Sequence, residues 1–147
     1  NIIVFGRPQL PAWEEQELPV PGEITAGQYR IKTEILPYHE DCALGEEGED
    51  FDLDQLSLPL TVRRRRPGDR MQVFGQTGLK KIKDLLIEAK LPRYLRDYLP
   101  IICDQKDAIW VCGVRRSEKG RITPESRRVL RIKLEVVNDC HDDRPMI

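Results

Sequence analysis

The stretch RRRRPGDR, Arg63 to Arg70, sets five arginines around a Pro-Gly pair, and a second cationic run, Lys80, Lys81 and Lys83, follows it. Guanidinium forks grip phosphate or carboxylate oxygens two at a time and ammonium groups act as point charges, so the chemistry open to these residues is recognition of a polyanion. A second possibility is phosphoryl transfer, with Arg65, Arg66, Lys80 and Lys83 clamping the group and Asp69 or Asp84 as base. Hydrolytic chemistry finds no support. Serines are few, neither His39 nor His141 stands in a catalytic context, and no Gly-rich phosphate loop of the Walker or Rossmann type occurs. The four cysteines, Cys42, Cys103, Cys112 and Cys140, lack C-x-x-C spacing, so no metal site is expected. Cys103 and Cys112 lie in apolar runs and read as small buried hydrophobes, a usage that suits a reducing cytoplasm.

The formal net charge of -1 conceals a division. Residues 1–56 carry three Lys+Arg against thirteen Asp+Glu, and residues 57–147 carry twenty-one against twelve. The basic part can attract a polyanion and the acidic part cannot. With 147 residues, 33% of them charged, and a mean hydropathy of -0.51, one domain with a real core is expected. No run approaches the roughly 20 apolar residues of a membrane span, and NIIVFG is too short for a signal peptide.

The elements that must position the cations read as follows. IIVF and YRIKTEIL are strand-like, the latter with Tyr29, Ile31, Thr33 and Ile35 on one side, and PGEITAG between them reads as a turn-rich connection. EDCALGEEGEDFD, Glu40 to Asp52, reads as a mobile acidic loop; alternatively it occupies the basic surface when the partner is absent. LSLPLTVRRRR reads as a strand with Leu58, Leu60, Val62, Arg64 and Arg66 on one face. Arginines on that apolar face must run past the sheet edge or find carboxylates. Pro67-Gly68 signals a type II turn, and Asp69 is placed to pair with a neighbouring arginine. LKKIKDLLIEA reads as a helix capped by Thr77, with an apolar stripe of Leu79, Ile82, Leu85, Leu86 and Ala89. Its lysines sit at the end where the helix dipole disfavours cations. A short helical turn presents Arg93 and Arg96, with Tyr94 and Tyr98 read as core at their spacing from Leu95 and Leu99, or alternatively as surfaces on which bases stack. IICD and AIWVCGV read as an antiparallel pair anchored by Trp110, GVRRSEKGRITPES as a basic loop, and RRVLRIKLEVV as a final alternating strand.

Taken together, LPLTVRRRRPGDRM, FGQTGLKKIKDLLIEAKLPRYLRDYLPII, WVCGVRRSE and ITPESRRVLRI resemble the C-terminal region of bacterial tRNA(Ile)-lysidine synthetases. The match is dense over residues 56–137. Four ordered motifs carry it: R-x-R-x-P-G-D-R, K-K-x-K-D, K-x-P-R-x-x-R and G-x-R-x-S-E. The resemblance implies an α+β, β-rich fold of antiparallel sheets, sandwich-like and related to a phenylalanyl-tRNA synthetase β-chain domain, with two or three short helices. It divides the chain into an N-terminal extension or start (1–24), the domain (25–137) and a flexible tail (138–147).

That family uses ATP, with Mg, to adenylate the wobble cytidine of an isoleucine tRNA with a CAU anticodon, and lysine then displaces AMP. The chemistry belongs to a PP-loop domain with an S-G-G-x-D-S motif, which this sequence does not contain, so the chain itself is expected to be catalytically inactive and without a cofactor. Its implied partners are the tRNA acceptor stem and the catalytic domain of the same polypeptide, with a homodimer as a further option, in the cytoplasm. The motif matches assign tRNA contact to Arg63, Arg65, Arg70, Lys80, Lys81, Lys83, Arg93, Arg96 and Arg115. Arg64 and Arg116 fall where the family pattern is open. The rival reading is a structural or dimerisation module whose charges are paired or solvated.

Overall fold

The structure, a computed structural model, describes residues 13–38 and 48–137. Along the chain run β1 (Gln16–Leu18), β2 (Gly22–Ala26), β3 (Tyr29–Pro37), β4 (Gly48–Asp52), a 3-10 turn (Leu53–Gln55), β5 (Leu60–Arg63), β6 (Arg70–Met71) and β7 (Lys80–Lys81). Helices α1 (Ile82–Glu88) and α2 (Arg93–Arg96) follow, then β8 (Ile101–Cys103), β9 (Ala108–Val111), β10 (Arg115–Arg116) and β11 (Arg128–Val136). All pairings between these strands are antiparallel. The expected β-rich fold of antiparallel sheets with short helices is the one the chain forms.

Period-two alternation explains the layering. One sheet has the order β1-β5-β8-β9-β10 and another β2-β3-β11-β4. Their facing sides supply one core, with Leu60, Val62, Ile102 and Trp110 from the first and Ile31, Phe51, Leu130 and Ile132 from the second. The opposite face of the first sheet, Ile101, Cys103 and Val111, packs with Met71 and Val73 and with Ile82, Leu85 and Leu86 of α1. Each fully buried aliphatic side chain of this kind contributes about 1.5–3 kcal/mol. The first sheet is thus the middle layer, covered on both faces. This is why IICD and AIWVCG read as unbroken apolar runs rather than alternating ones. Cys103 pairs with Ala108 and Ile102 with Trp110, so Ile109 is an extra residue on β9. That bulge lets Ile109 and Trp110 both enter the inter-sheet core.

Four expectations need correction. Gly22–Ala26 is a strand, not a connection, and Gly48–Asp52 is a strand, not a loop. In both places glycine answers to crowding and not to a turn. A Cβ at Gly48 would stand 2.0 Å from the carbonyl oxygen of Ile132, and one at Gly22 would stand 2.6 Å from Pro19 Cγ. Within β4, Asp50 is buried and chelated by Arg131 at 2.8 and 2.9 Å, and Asp52 accepts from Ser126 Oγ at 2.9 Å. These carboxylates therefore serve the frame.

The helix expected from Leu79 begins instead at Ile82, with Lys81 rather than Thr77 in the capping position and no side-chain cap. Gly78 has φ +79, the left-handed region that interrupts a helix, and Lys80–Lys81 pairs with Arg70–Met71. Leu79 is consequently 67% exposed and outside the apolar stripe, and Ala89 is exposed too. The arginine strand ends at Arg63, and Leu58 is 48% exposed. Ser57 is drawn sideways there, its N–H donating to Asp104 and its carbonyl accepting from Gln105 N–H, both at 2.9 Å. The IIVF segment, residues 40–47, His39, Cys42, Cys140, His141 and the tail lie outside the described residues.

Candidate nucleic-acid interface

Asp69 organises the arginine segment. The Asp69 N–H donates to the Arg66 carbonyl at 3.1 Å, and Gly68 has φ +87, which together make the expected type II turn. The Asp69 carboxylate accepts two parallel bonds from the Arg63 guanidinium, at 2.9 and 3.0 Å, and a third from the Arg66 N–H at 2.6 Å. Its carbonyl accepts from Ile82 N–H at 3.0 Å, at the start of α1. Both side chains of the Arg63–Asp69 pair are only 14% exposed. Burial works to raise the carboxyl, but the bonds from Arg63 and Arg66 and the charges of both arginines overcome it and hold the group below the usual carboxylate range. Burial likewise opposes charge on Arg63, and Asp69 outweighs it, raising that guanidinium above its ordinary value.

One residue thereby joins β5, the turn and α1, and it fixes the ribbon of β6 and β7 between them. On that ribbon Arg70 and Lys81 are direct cross-strand partners, and both are exposed. Side chains at such positions stand about 4.5–5.5 Å apart at Cβ, where like charges repel. Lys83 follows on the exposed side of the first turn of α1.

The neighbouring cations divide by partner. Arg65 reaches Asp97, just after α2, at 3.1 and 3.2 Å, which ties the arginine loop to that helix. Arg96 donates to the Leu91 carbonyl at 3.0 Å, Lys80 pairs with Glu88 and Arg66 with Glu15. Arg64 is exposed, its guanidinium 5.6 Å from the centre of the half-buried Tyr98 ring. In the alternative phosphoryl clamp, Arg65, Arg66 and Lys80 are each engaged by a different carboxylate and Asp69 is held by Arg63, while Lys83 and the other candidate base, Asp84, are exposed. Of the nine residues assigned from sequence, Arg63, Arg65, Lys80 and Arg96 are thus engaged within the fold. Arg70, Lys81, Lys83, Arg93 and Arg115 are exposed, and their side chains have no hydrogen-bond or ion-pair partner among the described residues.

Arg115 is placed by the sheet. Arg63 pairs with Ile101, Ile101 with Val111, and Val111 with Arg115, so the four share one row and one face. At about 4.8 Å per strand, Arg115 sits roughly 14 Å from Arg63, at the far side of the face that α1 covers. Its neighbour Arg116 is a frame residue. It donates to the carbonyls of Asp50 (2.7 Å), Ser117 (2.9 Å) and Lys119 (3.2 Å), with its guanidinium 4.2 Å from the Phe51 ring centre and 4.9 Å from that of Phe74.

The FGQTGL loop, which no site assignment from sequence includes, carries Phe74 at 41% and Leu79 at 67% exposure. A signal for it exists in the sequence: Gly75 and Gly78 flank a polar pair, and both take positive φ.

Comparison with known proteins adds the relationships. A family model described as the TilS substrate C-terminal domain matches residues 60–134. A tRNA(Ile)-lysidine synthase of Clostridium tetani is 35% identical over 83% of this chain and 27% of its own length. One from Geobacter sulfurreducens is 44% identical over 57% of this chain and 18% of its own. The chain thus spans about a quarter or less of these relatives. A crystal structure of a TilS C-terminal domain superposes with a TM-score of 0.76 at 35% identity, over 84% of this chain and 97% of that one. An N-terminal fragment of the phenylalanyl-tRNA synthetase β-subunit from Pyrococcus horikoshii shares the fold, with a TM-score of 0.51 at 14% identity over 69% of this chain and 28% of that one. No helix among the described residues is long and apolar enough to cross a membrane.

Proposed function

We infer that this chain, which belongs to the TilS substrate C-terminal domain family, is the RNA-holding end of a tRNA(Ile)-lysidine synthase. In this reading it grips the acceptor stem of an isoleucine tRNA with a CAU anticodon, in the cytoplasm. A PP-loop domain of the same polypeptide uses ATP, Mg and lysine to convert the wobble cytidine to lysidine. The chain itself then contributes position and no chemistry.

The observation that carries the reading is the set of five exposed cations whose side chains have no partner among the described residues, on one braced scaffold that includes the opposed pair Arg70 and Lys81. A fold selected only for stability would not oppose two like charges across a two-residue ribbon. A phosphate between them removes the repulsion. A-form RNA hides its base edges in a deep major groove, so a stem is read through phosphate, 2′-OH and shape. Exposed guanidinium and ammonium groups on sheet and helix suit that task, and the engaged arginines hold the scaffold that presents them.

The test is binding to the cognate isoleucine tRNA, to its acceptor-stem minihelix and to an unrelated tRNA across a salt titration. Tight, salt-sensitive binding that favours the cognate stem is expected. Replacing Lys81 and Lys83 together by alanine should flatten the logarithmic salt slope by about 0.7–0.9 for each phosphate that is no longer neutralised. Weak and equal binding to all three RNAs, with concentration-dependent dimers in sedimentation, would turn the assignment to a structural or dimerisation module.

A further inference from the structure

A groove of about 560 Å³ runs beside the β6–β7 ribbon, between it and the segment that follows β10. Arg70, Gln72 and Leu79 line it from the ribbon side, and Gln55, Arg121 and Thr123 from the other. The two sides are bolted together. Phe74 N–H donates to the Arg116 carbonyl at 3.0 Å, Glu118 N–H to the Gln72 carbonyl at 2.9 Å, and Gly75 N–H to the Glu118 carboxylate at 2.8 Å. Within the side opposite the ribbon, Gln55 Nε2 donates to the Arg121 carbonyl at 3.4 Å.

The groove's chemistry is mixed in a particular way. Its carboxylates are ion-paired, Glu118 with Arg121 at 3.2 Å and Asp107 with Lys119 at 2.9 Å, an ammonium that Asp107 shares with the buried Asp104 at 2.7 Å. The Arg70 side chain has no ion-pair partner among the described residues, so it is the charge that a phosphate entering the groove would meet. Leu79 offers a bare apolar surface, and the Arg121 guanidinium lies 5.1 Å from the centre of the Phe74 ring. Phe74 lies outside the lining and backs the Arg121 guanidinium, and flat guanidinium groups are surfaces on which bases stack. The side-chain amides of Gln55 and Gln72 supply donors and acceptors together, which suits base edges and not a simple anion.

We propose that this groove receives unpaired nucleotides of an RNA strand that leaves the duplex held at Arg70, Lys81 and Lys83. The proposal rests on the RNA-holding reading above and deepens it by naming single-stranded RNA as the occupant. Duplex base edges are out of reach in A-form RNA, whereas splayed bases can be stacked and hydrogen-bonded. The volume lies within the range of small-ligand pockets, enough for a nucleotide.

Three hairpins with one common duplex test it: a blunt hairpin, one with a short single-stranded 3′ overhang and one with a 5′ overhang. Each is titrated with the natural chain and with a Gln72→Ala, Leu79→Ser double variant, whose two positions are exposed. One overhang is expected to bind about tenfold tighter than the blunt hairpin. The variant should lose that gain while keeping the blunt affinity, which also reports that it is folded. Equal affinity for all three hairpins would overturn the groove and leave the duplex reading standing, as would a gain that survives in the variant. A chain that binds none of the hairpins would overturn both.

Discussion

Arg70 and Lys81 face each other as paired residues on a two-stranded ribbon, with no carboxylate bonded to either among the described residues. Like charges directly opposed on neighbouring strands destabilise by a few tenths to about 1 kcal/mol.

Relieving that opposition should trade binding for stability. Lys81→Thr removes one charge and places a good strand former on the ribbon. The expected outcome is a gain of about 0.5 kcal/mol in urea unfolding together with weaker RNA binding. A stability loss would mean that the lysine stem packs in a way its exposure conceals.

The Arg63–Asp69 pair predicts a pH dependence. The Asp69 carboxyl is held below its usual range, so the unfolded chain binds more protons than the folded one as acid is added. Its contribution is complete above the unfolded value of about 3.9 and disappears as pH falls through the lower folded value. Asp104 acts in the same direction: burial raises its carboxyl, but Lys119 and backbone N–H groups of Ser57, Lys106 and Asp107 outweigh this. Unfolding midpoints measured from pH 7 downward should fall steeply below about pH 4, and less so in Asp69→Asn. At neutral pH that variant should cost about 2 kcal/mol, between the values for exposed and buried pairs.

Lys90 offers a stabilising change. It has φ +59 at the end of α1, where its N–H donates to the Ile87 carbonyl at 2.9 Å and Leu91 N–H to the Leu86 carbonyl at 3.4 Å. This is a Schellman ending with lysine at the position that glycine takes without strain. Lys90→Gly should raise stability by about 0.5–1 kcal/mol, read from the thermal midpoint. An unchanged or lowered midpoint would show that the lysine stem supplies packing worth as much as the strain.

Local chemistry made part of this molecule legible from its sequence. The turn at Pro67-Gly68, the pairing of Asp69 with an arginine, the β8–β9 hairpin and the alternation of β11 each depend on residues close in the chain or on one clear period. The strands β2 and β4 were not legible, because Gly22 and Gly48 signal a turn in sequence and meet crowding in space. The start of α1 was hidden because Lys80 and Lys81 would suit a helix, and only the proximity of Arg70–Met71 recruits them into a ribbon. The division of the cations is of the same kind. Arg65, Arg66 and Lys80 look as available as Arg70 and Lys81 until Asp97, Glu15 and Glu88 come near them.

The bracing by Asp69 has a thermodynamic consequence. Because the ribbon and the start of α1 are fastened during folding, the backbone that carries Arg70, Lys81 and Lys83 has already lost its freedom before any ligand arrives. A partner meeting this surface has only side-chain rotamers to order, at about 0.5–1.5 kcal/mol for each long side chain immobilised. On the proposed RNA-holding reading, attachment and release would proceed with the frame unchanged, and the entropy of association would come chiefly from ions leaving the polyanion rather than from the protein.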